Sequence, residues 1–223
     1  MTPSIDGKVH HFEWAGLDNG VSLLRDFETE TIWHHITGEA LAGPLQGERL
    51  SMYNLLQTTV EGALAAYPDL AVAISDRPIV RHEKSLIDRV PGLGGMIRRT
   101  MAREDDRRPQ MEIGLGVWND DEQRYYPMDE VREADGLLID EFGGKRIVVY
   151  VDPRSSALAS LFTDAEIAEW NGKAIQFSDG SSIREGALYD ESGERVNAER
   201  PRQLFTRWYG FALTFPNTTI YQP

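Results

Sequence analysis

Four of the five histidines form two adjacent pairs, His10–His11 and His34–His35, and they are the side chains in this sequence best suited to chemistry. Imidazole changes its charge near neutral pH, so a histidine held by a carboxylate can act as a general base. Alternation along two short strands places His10 and His34 each on a face with large apolar side chains. If these strands pair, the two rings lie within reach of each other.

Asp26 and Glu39 are the carboxylates that we expect as partners of His10, His34 or His35. Together these five residues form the catalytic hypothesis. The same rings and carboxylates are ligand types for zinc, although we predict no metal and no cofactor. The alternative for each ring is an ordinary core or rim histidine, hydrogen-bonded to the backbone or to a carboxylate.

The segment "TGEALAGPLQGERL" at 37–50 has three glycines, which suggest comparison with a phosphate-binding loop. It lacks the Gly-Lys-Ser/Thr ending, so two reverse turns are the better interpretation. Further along, "VPGLGGM" and "RRTMAREDDRR" predict either a lid with the anion-binding arginines Arg98 and Arg99 or a solvated helix with ion pairs.

Three aromatic side chains, Trp33, Trp208 and Tyr209, are expected to pack in the core or between the two halves of the chain. If the protein encloses a cavity, these residues and the two arginines are the predicted ligand-binding set.

The elements that must position these residues are mostly strands. Hairpins are predicted at "DNG" (18–20), between "LLIDEF" and "RIVVYVD" around "GGK", and in "KAIQFSDGSSI". Further strands are "VHHFEW", "ETIWHHI", a buried "LAVAI" (70–74), "MEIGLGVW", "ALASLF" and "TTIYQP". Helices are predicted at 51–67 with Ser51 as cap, around 82–90 and 95–104, after the capping box Thr163–Glu166, and at 201–214.

"TTVEGALAAYPDLAVA" (58–73) aligns without gaps on "TRWYGFALTFPNTTIY" (206–221) at an offset of 148 residues. Both segments read as a helix, an aromatic–Pro stop and a strand, which favours an internal duplication. The prediction is one α+β domain over 1–223, with a bent-sheet or barrel-like body. It consists of two related halves (about 7–74 and 146–221) and a helical or loop insertion at 75–110.

The composition excludes several functions. The chain has 223 residues, no cysteine and a formal charge of −13, so disulfides and thiolate chemistry are absent, and nucleic acid and membrane surfaces are poor partners. No apolar run is long enough to span a bilayer. The first residues show no basic segment before an apolar one, so we expect a cytoplasmic protein, or a secreted or periplasmic one if a signal has been removed.

The ordered pieces "LLRDFETETIWHHITGEALAGPLQGERL", "GVWNDDEQRYYPM", "DEFGGKRIVVYVD" and "RWYGFALTFPNTTIY" resemble the family known as domain of unknown function 3179. The resemblance runs from about Gly7 to Tyr221 and implies a shared fold but no activity. Relatives usually carry a Cys-Pro-x-Cys motif on an extra first strand, and His34–His35 stands where they tend to have small polar or amide residues. This chain has no cysteine, so it cannot perform any redox or metal-binding function that this motif has in relatives.

Two functional hypotheses remain. The first is a non-redox small-molecule binding domain with a cavity between two β-rich halves. The second is a cofactor-independent isomerase, cyclase or hydrolase that uses histidine acid–base catalysis. A purely structural domain is the third option, and the oligomeric state is open.

Overall fold

The computed structural model describes residues 3–55, 57–72, 74–76, 93–152, 155–171, 174–184 and 186–223. Its strands are β1 (Ser4–Ile5), β2 (Lys8–Val9), β3 (Phe12–Asp18), β4 (Val21–Asp26), β5 (Ile32–His34), β6 (Ala40–Ala42), β7 (Ile113–Trp118), β8 (Gln123–Pro127), β9 (Leu137–Phe142), β10 (Lys145–Val151), β11 (Leu158–Phe162), β12 (Ala168–Trp170), β13 (Ile175–Phe177), β14 (Ser182–Arg184), β15 (Ala187–Tyr189), β16 (Arg195–Val196), β17 (Arg202–Arg207) and β18 (Thr219–Ile220).

Four short helices complete the described elements: α1 (Val60–Ala66), α2 (Gly95–Arg99), α3 (Met128–Glu133) and α4 (Trp208–Thr214). None of them has the length and apolar character that crossing a bilayer requires. With 18 strands and four short helices among the described residues, the fold is rich in β-structure, as the sequence predicts.

The strands form five separate sheets, and among the described residues no sheet closes into a barrel. The orders are β1-β2, β3-β4-β5-β6, β17-β7-β8-β18, β11-β10-β9 and β12-β13-β14-β15-β16. All pairs are antiparallel except β18 with β8. The barrel-like alternative is thus not what the described residues form.

β10 explains how three of these sheets pack into one body. Its side chains are buried on both faces: Ile147 and Val149 belong to a cluster with β7, β8 and α3, while Val148 and Tyr150 pack against β13 and β14. A strand covered on both sides needs a continuous apolar run rather than alternation, which accounts for "RIVVYV". α4 covers the outer face of β7 and β8 with Trp208 and Phe211.

The hairpin predictions are confirmed. The β3–β4 turn uses Asn19 and Gly20, both at positive φ, and the β9–β10 turn uses Gly143 and Gly144 in the same way. These conformations match the twist of the strands on either side. β13 and β14 form the third predicted hairpin.

Several helix and strand predictions are wrong. Residues 51–55 and 57–59 are irregular, and Thr59 caps α1 instead of Ser51, accepting a hydrogen bond from the Gly62 amide at 3.0 Å. The described residues of 70–74 form no strand and are exposed. The Thr163 hydroxyl accepts from the Ala165 amide, and a strand, β12, follows instead of a helix.

The C-terminal helix is shorter than predicted, because 202–207 pair with β7 as a strand before α4 begins. The strand "VHHFEW" is interrupted at His10–His11, between β2 and β3. The predicted helix at 82–90 lies outside the described residues, as does His82. Within 95–104, α2 covers only Gly95–Arg99.

Candidate functional site

His10 and Asp26 meet at the end of the β3–β4 ladder. Phe12 pairs with Asp26, and the chain just before Phe12 brings the His10 ring over the carboxylate. His10 Nδ1 lies 3.1 Å from Asp26 Oδ1, and the two residues are 6% and 0% exposed. Of the five residues in the catalytic hypothesis, these two are brought into direct contact.

Asp26 is held from three further directions. Thr29 donates its backbone amide (2.7 Å) and its hydroxyl, and Trp33 Nε1 donates at 2.8 Å. Burial alone would raise the pKa of Asp26, but the hydrogen bonds from Trp33, Thr29 and His10 outweigh it and lower the pKa to about 2. The carboxylate is therefore charged although no solvent reaches it.

Glu28 and His11 form a second pair beside the first. His11 Nδ1 lies 2.7 Å from Glu28 Oε1, and the His11 amide donates to Oε2 at 2.9 Å. These bonds from His11 lower the pKa of Glu28. Glu28 Oε2 is also 3.8 Å from His10 Nδ1, so His10, Asp26 and Glu28 bring possible metal-ligand atoms together.

His34 lies on the opposite face of the same sheet. Leu24 pairs with Trp33 and Leu23 with His34, so Trp33, which contacts Asp26, and His34 point to opposite sides. The register therefore does not bring the His10 and His34 rings together. His34 Nδ1 accepts from the Thr37 amide at 3.2 Å, and burial, aided by the neighbouring His35, lowers the pKa of His34.

The other predicted polar residues are spread over the surface. The exposed His35 ring bonds the Ser22 carbonyl at 3.1 Å, and Glu39 is exposed in a single bridge with Arg49. Arg98 and Arg99 are exposed at the end of α2, where Arg98 lies 3.8 Å from Glu104. Both arginines are thus solvent-exposed and one of them has an acidic neighbour, while the choice between a lid and a solvated helix stays a prediction.

The three predicted aromatic residues are packing residues. Trp33 lies in the core of the first sheet, and Trp208 packs edge-on against Tyr125 with ring centroids 5.1 Å apart. Tyr209 is half-buried beside Gly20. None of the three lines the cavity beside α1.

A cavity of about 330 Å³ lies between the segment around α1 and three of the sheets. One wall comes from the α1 segment and the other from the strands and turns of the sheets. The lining residues are Asn54, Leu55, Gln57, Thr58, Gly62, Ala63, Tyr67 and Leu70 on the first side, and Leu115, Tyr150, Asp152, Ala157, Leu158, Ala159, Gly186, Gln203 and Phe205 on the second.

Polar groups in the cavity are fixed by hydrogen bonds. The Gln203 side chain is bonded to the Ser160 backbone and hydroxyl at 2.7–3.0 Å, and the Gln203 backbone amide donates to Asn54 Oδ1 at 3.1 Å. Asp152 Oδ1 accepts from the Ser155 amide at 2.9 Å. Burial raises the pKa of Tyr150, so its phenol stays neutral. The cavity thus combines apolar walls with a few rigid polar groups.

Comparison with known protein families finds one match that covers most of the chain. The model of the family described as "Protein of unknown function (DUF3179)" matches residues 2–207. The chain belongs to this family. Comparisons with curated proteins and with solved structures give no match.

Membership in DUF3179 confirms the resemblance without supplying a reaction. The match includes β1–β17, and thus both the His10–Asp26 contact and the lining of the cavity. Sequence reasoning did not identify Asn54, Tyr150 or Gln203, because they come from separate elements and share no motif spacing. The only available signal was the apolar run that contains Tyr150.

Proposed function

We propose that this DUF3179 member is a non-redox small-molecule binding domain, with the ligand in the cavity between the α1 segment and the sheets. The observation that carries the proposal is the cavity itself. Its volume of about 330 Å³ falls within the range of about 300–1,000 Å³ that is typical of ligand sites, and its walls are mainly apolar.

The lining supports a mainly apolar ligand with one hydrogen-bonding end, because its polar groups are few and its remaining surface is apolar. Gln203, Asp152 and Tyr150 are held by hydrogen bonds and line the cavity from the sheets, whereas Leu55, Ala63 and Leu70 line it from the α1 segment. Rigid polar groups orient a ligand at little entropic cost. A mono- or bicyclic molecule fits this volume. Nucleic acid and anionic membrane surfaces are poor partners, because the protein carries a formal charge of −13.

Neutral aromatic alcohols and amides, observed by saturation-transfer NMR, are the probes that test this proposal. Ala63→Leu adds bulk to the cavity wall, and Ala65→Leu adds the same bulk to an exposed position of the same helix. We expect saturable binding to the wild type and to Ala65→Leu, and at least about tenfold weaker binding to Ala63→Leu. Equal binding to both variants contradicts the proposal.

Proton-transfer catalysis is the second candidate, and the 3.1 Å contact between His10 and Asp26 favours it. A buried carboxylate that orients an imidazole is the arrangement that activates a histidine base. The reaction class would be an isomerisation, cyclisation or hydrolysis. Hydrolysis of p-nitrophenyl esters is expected to fall in His10→Gln and to persist in His35→Gln. An equal rate in His10→Gln rejects this role for His10.

A further inference from the structure

We propose that His10, Asp26 and Glu28 bind a divalent transition-metal cation such as Zn²⁺. Their three candidate ligand atoms lie within 4.8 Å of one another. His10 Nδ1 is 3.1 Å from Asp26 Oδ1 and 3.8 Å from Glu28 Oε2. Tetrahedral zinc with bonds of about 2.1 Å places neighbouring ligand atoms about 3.4 Å apart, so small side-chain movements suffice.

The groups around the three residues support metal binding. Trp33 Nε1 bonds Asp26 Oδ2 at 2.8 Å, and His11 bonds Glu28 Oε1 at 2.7 Å. In each carboxylate, the oxygen farther from His10 is therefore held by another side chain. Outer partners of this kind fix the orientation of metal ligands and raise affinity.

Metal binding would replace only one contact that Asp26 makes at present. His10 Nδ1 would release its proton to solvent and bind the cation, which Asp26 would hold through Oδ1. Oδ1 can keep the bond from the Thr29 amide on its other lone pair, and Oδ2 can keep the bonds from the Thr29 hydroxyl and Trp33. The Asp26 carboxylate would thus remain in place while its partner changes from the N–H of His10 to the cation. This lowers the reorganisation that binding needs.

Charge and access also fit a divalent cation. Two carboxylates and one neutral imidazole offer a charge of −2, which a divalent ion neutralises. Glu28 is 34% exposed, so the cluster has an opening to solvent, and a fourth position can hold water. An imidazole ligand favours Zn²⁺, Co²⁺ or Ni²⁺ over Mg²⁺ and Ca²⁺, which prefer all-oxygen sites.

The proposed metal site is separate from the proposed ligand cavity, since the two have no residue in common. It does compete with the acid–base role of His10, because Nδ1 cannot hold a metal and a proton together. A metal-binding result therefore leaves the cavity proposal untouched.

Isothermal titration calorimetry of the full chain, stripped with EDTA and dialysed, tests the site with ZnCl₂ and MgCl₂ in separate titrations. We expect one zinc per chain and at least about tenfold weaker binding of magnesium. Glu28→Gln removes one ligand at a partly exposed position and should weaken zinc binding by at least about tenfold. Glu30→Gln makes the same charge change two residues away and should bind zinc like the wild type.

Zinc binding that is unchanged in Glu28→Gln overturns the proposal. So does an equal loss in Glu30→Gln, which indicates attraction by the acidic surface alone, or a loss in His35→Gln, which indicates binding at the second histidine pair. The absence of saturable heat at about 1 mM zinc also rejects it. Far-UV circular dichroism and the urea midpoint establish that each variant is folded.

Discussion

At the residue scale, the charged and fully buried carboxylate of Asp26 organises the end of β4. It accepts bonds from a loop threonine, a core tryptophan and a histidine in the segment between β2 and β3, and so joins three parts of the chain. A buried charge is tolerated only when its hydrogen bonds replace the lost water. The local structure and the candidate site therefore depend on the same side chain.

Asp26→Asn tests this structural role. The amide cannot accept all the bonds that the carboxylate accepts, and its N–H₂ faces other donors, so we expect a loss on the order of 3 kcal/mol in the free energy of unfolding. Urea denaturation in EDTA measures it. The matched control Asp18→Asn, at an exposed position, should change stability by less than about 0.5 kcal/mol. A similarly small change in Asp26→Asn would contradict this account.

His34 gives the protein a pH-dependent contribution to stability. Burial lowers the pKa of His34 in the folded state, so the unfolded chain takes up the proton first as pH falls. The contribution is fully present above the ordinary pKa of about 6.5 and is lost progressively below it, until the folded-state pKa is passed.

We therefore expect the free energy of unfolding to fall from about pH 7 to pH 5, and His34→Gln to reduce that slope. His35→Gln removes the neighbouring imidazole but leaves His34 half-buried, so it should retain most of the slope. Urea titrations at several pH values measure both. Identical slopes in the wild type and His34→Gln would show that burial of this ring does not matter.

At the element scale, close contact between α4 and β7 depends on a residue without a side chain. A Cβ added at Gly116 would overlap the ring of Phe211, which is fully buried and also contacts Trp118 and Tyr125. The glycine lets the helix approach the sheet. The position of α4 thus depends on one strand residue.

Gly116→Ala should destabilise the protein by about 1–3 kcal/mol, because the added methyl group overpacks the interface. Gly95→Ala, where nothing lies within 4 Å of the added atom, should stay within about 0.5 kcal/mol of the wild type. Thermal and urea unfolding provide the comparison. If Gly116→Ala is as stable as Gly95→Ala, the contact between α4 and β7 has room for a methyl group, and this account is wrong.

The elements that sequence reasoning predicted correctly are those fixed by local chemistry. The turns at Asn19–Gly20 and Gly143–Gly144 need positive φ, which their residue types favour. The failures occur where distant pairing overrides a local signal. Thr163–Glu166 resembles a helix start, yet the residues that follow it pair with β13. In the same way, 202–207 become a strand because β7 lies beside them.

At the scale of the whole molecule, the candidate sites also combine residues that the local sequence indicates with contacts that only distant pairing creates. The sequence identified both His10 and Asp26, but their contact depends on the β3–β4 register and on the break before β3. The cavity depends on how the α1 segment lies against three sheets, which no local pattern specifies. α1 and α4 keep the offset of 148 residues that motivates the duplication hypothesis, which stays a prediction.

The most direct test of the ligand-binding proposal is a ¹⁵N-HSQC titration with the tightest-binding neutral aromatic probe. Gly62 on α1 and Gly186 between β14 and β15 both line the cavity but belong to different elements. We predict saturable shifts of both amide signals, with the His11 and Thr29 amides beside the histidine–carboxylate cluster unchanged. Shifts confined to the His11 and Thr29 amides, or no saturable shift at Gly62 and Gly186, would contradict a ligand site in this cavity.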